Sequence, residues 1–114
     1  MGCSTEVQEA FKIADLTKIP TEFKTINDRE EIDQIHEIAG RLVWVEEAIE
    51  TTGDPDYSFW LEREGEELRI TNYEVWINGE DSVVIDHVNI KFAHIKGVDL
   101  QELKNRLEAP FKSN

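Results

Sequence analysis

The sequence predicts an α+β domain: an antiparallel β-meander sheet packed by an N-terminal amphipathic helix and a short C-terminal helix. Three observations predict it. Segments alternating at period two flank a capped, isoleucine-striped helix; a Tyr…Trp strand pattern occurs twice, sixteen residues apart; and a leucine-bearing segment closes the chain just before Pro110. The domain is expected to run over residues 11–111, after a flexible tether at 1–10 and before a frayed tail at 112–114.

Phe11 to Leu16 alternates as a strand does, and Thr21 to Ile26 alternates again after Pro20. Asn27 then stands where a helix cap belongs, with Glu30 three residues on to complete a capping box. Ile32, Ile35, Ile38, Ala39 and Leu42 follow at helical spacing, opposite Asp28, Arg29, Glu31, Asp33, Gln34 and Glu37. His36 lies beside that stripe and is expected to be solvated. Leu42 to Ile49 could extend the helix, but it carries Val43, Trp44 and Val45, residue types that favour a strand, and the reading leans that way. Thr52-Gly53-Asp54-Pro55-Asp56 breaks the chain.

Beyond the break, Asp56-Tyr57-Ser58-Phe59-Trp60-Leu61-Glu62 reappears as Asn72-Tyr73-Glu74-Val75-Trp76-Ile77-Asn78. Two copies fall short of a solenoid, so they read as two meander strands. Gly65 is expected to turn the first hairpin, and Asn78-Gly79 to turn the second as a two-residue loop. Alternation puts Tyr57, Phe59 and Leu61 on one face with Tyr73, Val75 and Ile77, and Trp60 and Trp76 on the other. A long strand is expected from Ser82 to about Ile95, apolar on both parities, which implies a sheet covered on both sides. Asp99, with Glu102 at the capping-box position, then starts a helix striped by Leu100, Leu103 and Leu107.

The 114 residues make one domain, long enough to bury a core without disulfides, and Cys3 is the only cysteine. Twenty-five acids against twelve bases give a net charge of −13, which repels nucleic acid and anionic lipid alike. The chemistry-bearing patterns are missing. His36, His87 and His94 are scattered, and His87 and His94 fall seven apart on one expected strand, facing opposite ways. The glycines are dispersed through turns rather than forming a phosphate-cradling loop. Paired acids at turns do not make a cleft dyad. No catalytic residue, metal ligand or cofactor is nominated, and the expectation is a non-enzyme.

The opening MGCSTEV bears on compartment. Myristoylation prefers Ser or Thr at position 6, where this chain has Glu. Gly2-Cys3-Ser4 fits the end of a bacterial lipoprotein cleavage box, which would make Cys3 the lipidated first residue of a mature chain followed by a polar tether. The order of parts from Phe23 to Leu107 resembles the YhfM-like domain of small Gram-positive lipoproteins. The residues that carry it are Ile32 and Ile35, Pro55-Asp56-Tyr57, Tyr73-x-Val75-Trp76-Ile77, and Leu103 and Leu107. That resemblance implies a lipid anchor at Cys3, an extracytoplasmic location and no known catalytic residues.

The candidate binding residues are therefore surface ones. Trp60 and Trp76, ringed by Glu62, Glu74 and Asn78, have the make-up of an aromatic anchor in a polar rim. The C-terminal helix, needing an apolar surface, is expected to cover these tryptophans. Binding would then pass to the turns at Gly65 and Gly79. The expected role is a monomeric module that binds a protein partner at the cell envelope as an inhibitor, an immunity or exclusion factor, or an accessory. Its only membrane attachment is the lipid on Cys3, and it binds no nucleic acid. The alternative is a cytosolic acidic inhibitor or nucleic-acid mimic occupying a basic surface.

Overall fold

The computed structural model describes residues 8–66 and 68–112. It is α+β, with a six-stranded, wholly antiparallel sheet in the order β2-β1-β3-β4-β5-β6. The strands are β1 (Glu9–Asp15), β2 (Glu22–Ile26), β3 (Tyr57–Arg63), β4 (Arg69–Trp76), β5 (Val83–Asp86) and β6 (Lys91–His94). Helix α1 (Arg29–Arg41) joins β2 to the long connection before β3, and α2 (Gly97–Glu108) follows β6. The first helix is thus the third element, not an N-terminal one: strands come first. β1 begins at Glu9, inside the span read as a tether, because Glu9 is anchored by Arg29 at 2.9 Å and Arg63 at 3.0 Å.

Both helices pack on one face. Ile32, Ile35 and Ile38 of α1 and Leu103 and Leu107 of α2 share one buried cluster with Phe11, Ile13, Tyr57, Phe59, Leu61, Tyr73, Val75 and Val84. Every strand residue in that cluster has the parity that the register places on the same side: Ile13 pairs with Phe59, Phe59 with Tyr73, Tyr57 with Val75, and Val75 with Val84. Burial of these side chains, at ~1.5–3 kcal/mol each, dominates the stability of the domain. Arg41 bridges the helices through Asp99 and Glu102, and Arg106 bridges them through Glu31.

Local chemistry alters several expected details. Asp28, not Asn27, caps α1: its carboxylate accepts from the Glu30 N–H at 3.1 Å. Asp99 does not cap α2, since its carboxylate is engaged by Arg41 and Lys96 occupies the cap position without a side-chain bond. The long strand expected over Ser82–Ile95 is a hairpin of two short strands. Asp86, buried, accepts from the Val88 and Asn89 N–H groups and the Asn89 side chain, an Asx turn that reverses the chain. Ile90 completes this turn at φ 55°. Asn78-Gly79 lies within a six-residue connection, Ile77 to Ser82, rather than making a two-residue turn, because Ser82 Oγ accepts from the Asn78 N–H and donates to the Gly79 carbonyl. Gly65 does turn the β3–β4 hairpin, at φ 85°. His36 is half-buried, its ring 5.4 Å from that of Phe11, rather than solvated.

Leu42–Ile49 is not a strand. It makes a single antiparallel bridge, Val45 with Phe92, through two 2.8 Å backbone bonds. On one side Trp44 stacks on Tyr73 and its indole N–H donates to the Ala39 carbonyl at 2.9 Å. On the other side the chain returns to β4: the Trp76 indole donates to the Gly53 carbonyl, and Asp56 bonds the backbone of Val75 and Ile77. Residues 42–56 therefore form a strap around the outer edge of β6.

Candidate functional site

The face of the sheet opposite the helices carries the even-numbered residues of β1, β3 and β4. Lys12 pairs with Trp60, which pairs with Asn72. In the next row Phe23, Ala14, Ser58, Glu74, Ile85 and Phe92 lie side by side across all six strands. Trp76 and Val83 begin a third row that ends at His94. Trp60 and Trp76 thus share a face, as alternation requires. The expected helical cover is absent from it, because the leucines of α2 and the isoleucines of α1 both point into the cluster on the other side. The strap covers only the β4–β5 end, where Val83 is buried, so the sheet is not covered throughout on both sides.

Trp60 is only 9% exposed despite facing away from the helices. Two charged side chains hold it flat: the Arg69 guanidinium sits 4.0 Å above its ring, and Glu62 accepts its indole N–H at 2.8 Å. Such a stacked cation contributes about 0.5–1 kcal/mol near a surface. Arg69 reaches this face through a β-bulge at Leu61/Glu62, which pairs Glu62 with Arg69. Glu74 is bonded by His87 Nε2 at 2.6 Å, and the His87 N–H closes the row on the Asn72 carbonyl. Sequence reasoning missed Arg69, His87 and Phe92. On one continuous strand Phe92 would share the parity of Val84, which lies on the helix side, and only the turn at Asp86 brings it beside Ile85; Arg69 depends on the bulge, which has no sequence signal here.

At the strap end, Trp76 is half-buried and lines a cleft of about 560 Å³ with Glu50, Asp54, Asp56, Asn78 and Asp81. The strap segment 42–56 contains Glu46, Glu47, Glu50, Asp54 and Asp56 and no lysine or arginine, so its acids have no base within the segment. The opposite end is more evenly balanced: the Arg29 guanidinium, hydrogen-bonded to Glu9, holds that carboxyl below the usual carboxylate range, with Arg63 adding to it. Gly65 and Gly79 are exposed turn glycines, and Gly79 follows Asn78 at the mouth of the Trp76 cleft. Cys3 lies outside the described residues.

Among the described residues no group of three or more His, Cys, Asp and Glu side chains is placed to hold a metal ion, and no helix is long and apolar enough to cross a membrane. His87 and His94 do not share a strand: the first lies in the β5–β6 turn and the second ends β6. Compared with protein families, curated proteins and solved structures, the chain matches no family model, no curated protein and no solved structure.

Proposed function

We propose that the protein is a non-catalytic binding module that presents the helix-free face of its sheet to a protein partner, tethered outside a bacterial cell membrane by a lipid on Cys3. The observation that carries the reading is the packing of both helices on one face, which leaves Trp60, Trp76, Ile85 and Phe92 on the other. Glu62 and Glu74 supply the polar rim beside these anchors, and Arg69 lies over the Trp60 ring, where a partner would displace it. Cys3 precedes β1 by only a few residues, so a lipid there would hold the sheet close to the bilayer surface. The resemblance to YhfM-like lipoproteins supports the same location, and it rests on the sequence motifs alone.

The test has two arms. Cells fed an alkyne fatty acid should label the wild-type chain and not Cys3→Ala. A photo-crosslinking residue at Ser58, central on the helix-free face, should trap a partner that the same residue at Glu37 on α1 does not. Trp60→Ala combined with Trp76→Ala should remove the trapped product. Equal trapping from both positions, or trapping indifferent to the tryptophans, would overturn the reading.

A second reading is supported by the acidic strap. A basic partner seated in the cleft of Glu50, Asp54, Asp56 and Asp81 would make the protein an acidic inhibitor instead. It predicts complex formation that weakens steeply from roughly 50 to 300 mM salt, as exposed charges are screened, and that depends on those four acids rather than on Trp60.

A further inference from the structure

The two edges of the sheet are finished differently. At β6 the outward-facing backbone of Phe92 is satisfied by Val45 of the strap. At β2 no strand or strap lies alongside among the described residues, and Glu22, Phe23, Lys24 and Thr25 are all exposed. The ladder fixes which backbone groups are bare. The Glu64 N–H bonds the Gln8 carbonyl, so even-numbered residues of β1 face β3 and odd-numbered ones face β2. Phe11, Ile13 and Asp15 therefore exchange bonds with Ile26, Lys24 and Glu22, and the N–H and C=O of Phe23 and Thr25 point outward.

We infer that this edge pairs with a second copy of the chain, β2 against β2 in antiparallel register about a two-fold axis through Phe23. In that register the outward N–H and C=O of Phe23 exchange bonds with those of its copy, Glu22 stands opposite Lys24 twice, and Thr21 stands opposite Thr25. The two Phe23 rings, each 64% exposed in the single chain, meet on the helix-free face. Charge selects this register over its neighbours. An axis through Lys24 sets the two lysines against each other, and one through Thr25 sets Glu22 against Asp28. The net charge of −13 does not forbid the contact, because Lys24 lies on the edge itself, Lys12 stands across from Thr25, Lys18 bonds Glu22 at 3.2 Å, and repulsion from more distant acids is screened over about 8 Å at physiological ionic strength.

A single strand pair lies at the small end of interface sizes, so the dimer is a concentration-dependent one. Light scattering and sedimentation of the purified chain, from roughly 10 µM to 1 mM, should show the mass rise from 13.2 kDa toward twice that value. Thr25→Pro removes an outward N–H that no internal bond uses, as an edge strand tolerates, and should hold the chain monomeric. Lys24→Glu sets a carboxylate opposite Glu22 at both cross-strand positions and should also abolish the shift; Glu22→Lys with Lys24→Glu exchanges the charges and should restore it. Trp60→Ala should leave the dimer unchanged, which separates this edge from the proposed partner face. A chain monomeric at every concentration, including one whose edge instead takes a foreign strand, overturns the inference. So does a dimer that survives Lys24→Glu, or, where Thr25→Pro keeps its fold, one that survives that substitution. A charge-exchanged variant that stays monomeric while folded overturns it as well.

Discussion

Both faces of the sheet carry aromatic residues, yet they hold them in different ways. On the helix side Phe59 and Tyr73 lie in a dry cluster whose rings meet at 5.2 Å, with aliphatic side chains of α1 and α2 closing over them. On the other side Trp60 and Trp76 are held by polar partners: Glu62 and Arg69 for one, the Gly53 carbonyl for the other. An aromatic residue in the first setting is stabilised by burial. In the second it is positioned by polar partners, and the two tryptophans differ: Trp76 stays half-buried, whereas Trp60 is covered by the Arg69 guanidinium. Alternation sorts side chains between faces, but the neighbours decide which face becomes core.

The largest expected effect lies on the packed side. Phe59→Ala should cost about 3–5 kcal/mol in urea unfolding, because a closed cluster cannot collapse into the space left. A loss below about 1.5 kcal/mol would mean that the helix face is not the closed core described.

Next comes alkaline pH. Burial, reinforced by Asp15, Glu108 and Asp56, pushes the Tyr57 hydroxyl up to about 12. The folded chain therefore keeps a proton that the unfolded chain loses near 10, and stability should fall as pH rises from 10 to 12. The loss is on the order of 2 kcal/mol at about 1.4 kcal/mol per pKa unit. Tyr57→Phe should flatten that limb of a pH–melting curve; an unchanged slope would remove Tyr57 as its cause.

On the helix-free side, Trp76→Ala should cost only about 1–2 kcal/mol, from one hydrogen bond and a half-buried ring. Its effect should fall on partner binding far more than on melting. A loss matching that of Phe59→Ala would erase the distinction between the faces. Ile90 sharpens the comparison from outside both. It is exposed, holds φ 55°, and makes no part of the core, so Ile90→Gly should raise the melting midpoint, by about 1 kcal/mol of stability. Arg69→Ala is the smallest, below about 1 kcal/mol, and should show first as a red shift in Trp60 fluorescence as water reaches the ring.

Elements whose signals are local were legible in the chain alone. The isoleucine stripe of α1, the leucines of α2, the Gly65 turn and the split of Tyr57, Phe59 and Leu61 from Trp60 follow from periods of 3.6 and 2 and from one glycine's freedom at positive φ. The net charge and the lone Cys3 equally needed no structure. Other features depend on partners distant in the chain, and these emerged only on folding. Val43-Trp44-Val45 has strand propensity, but β6 offers it one residue of pairing and Tyr73 draws Trp44 inward, so it became a strap. Asp86 turned one apolar run into two strands because its carboxylate could satisfy three donors at once. The side taken by α2 was invisible for the same reason. A leucine stripe states that a helix must be buried, and only the shape of the assembled sheet states where.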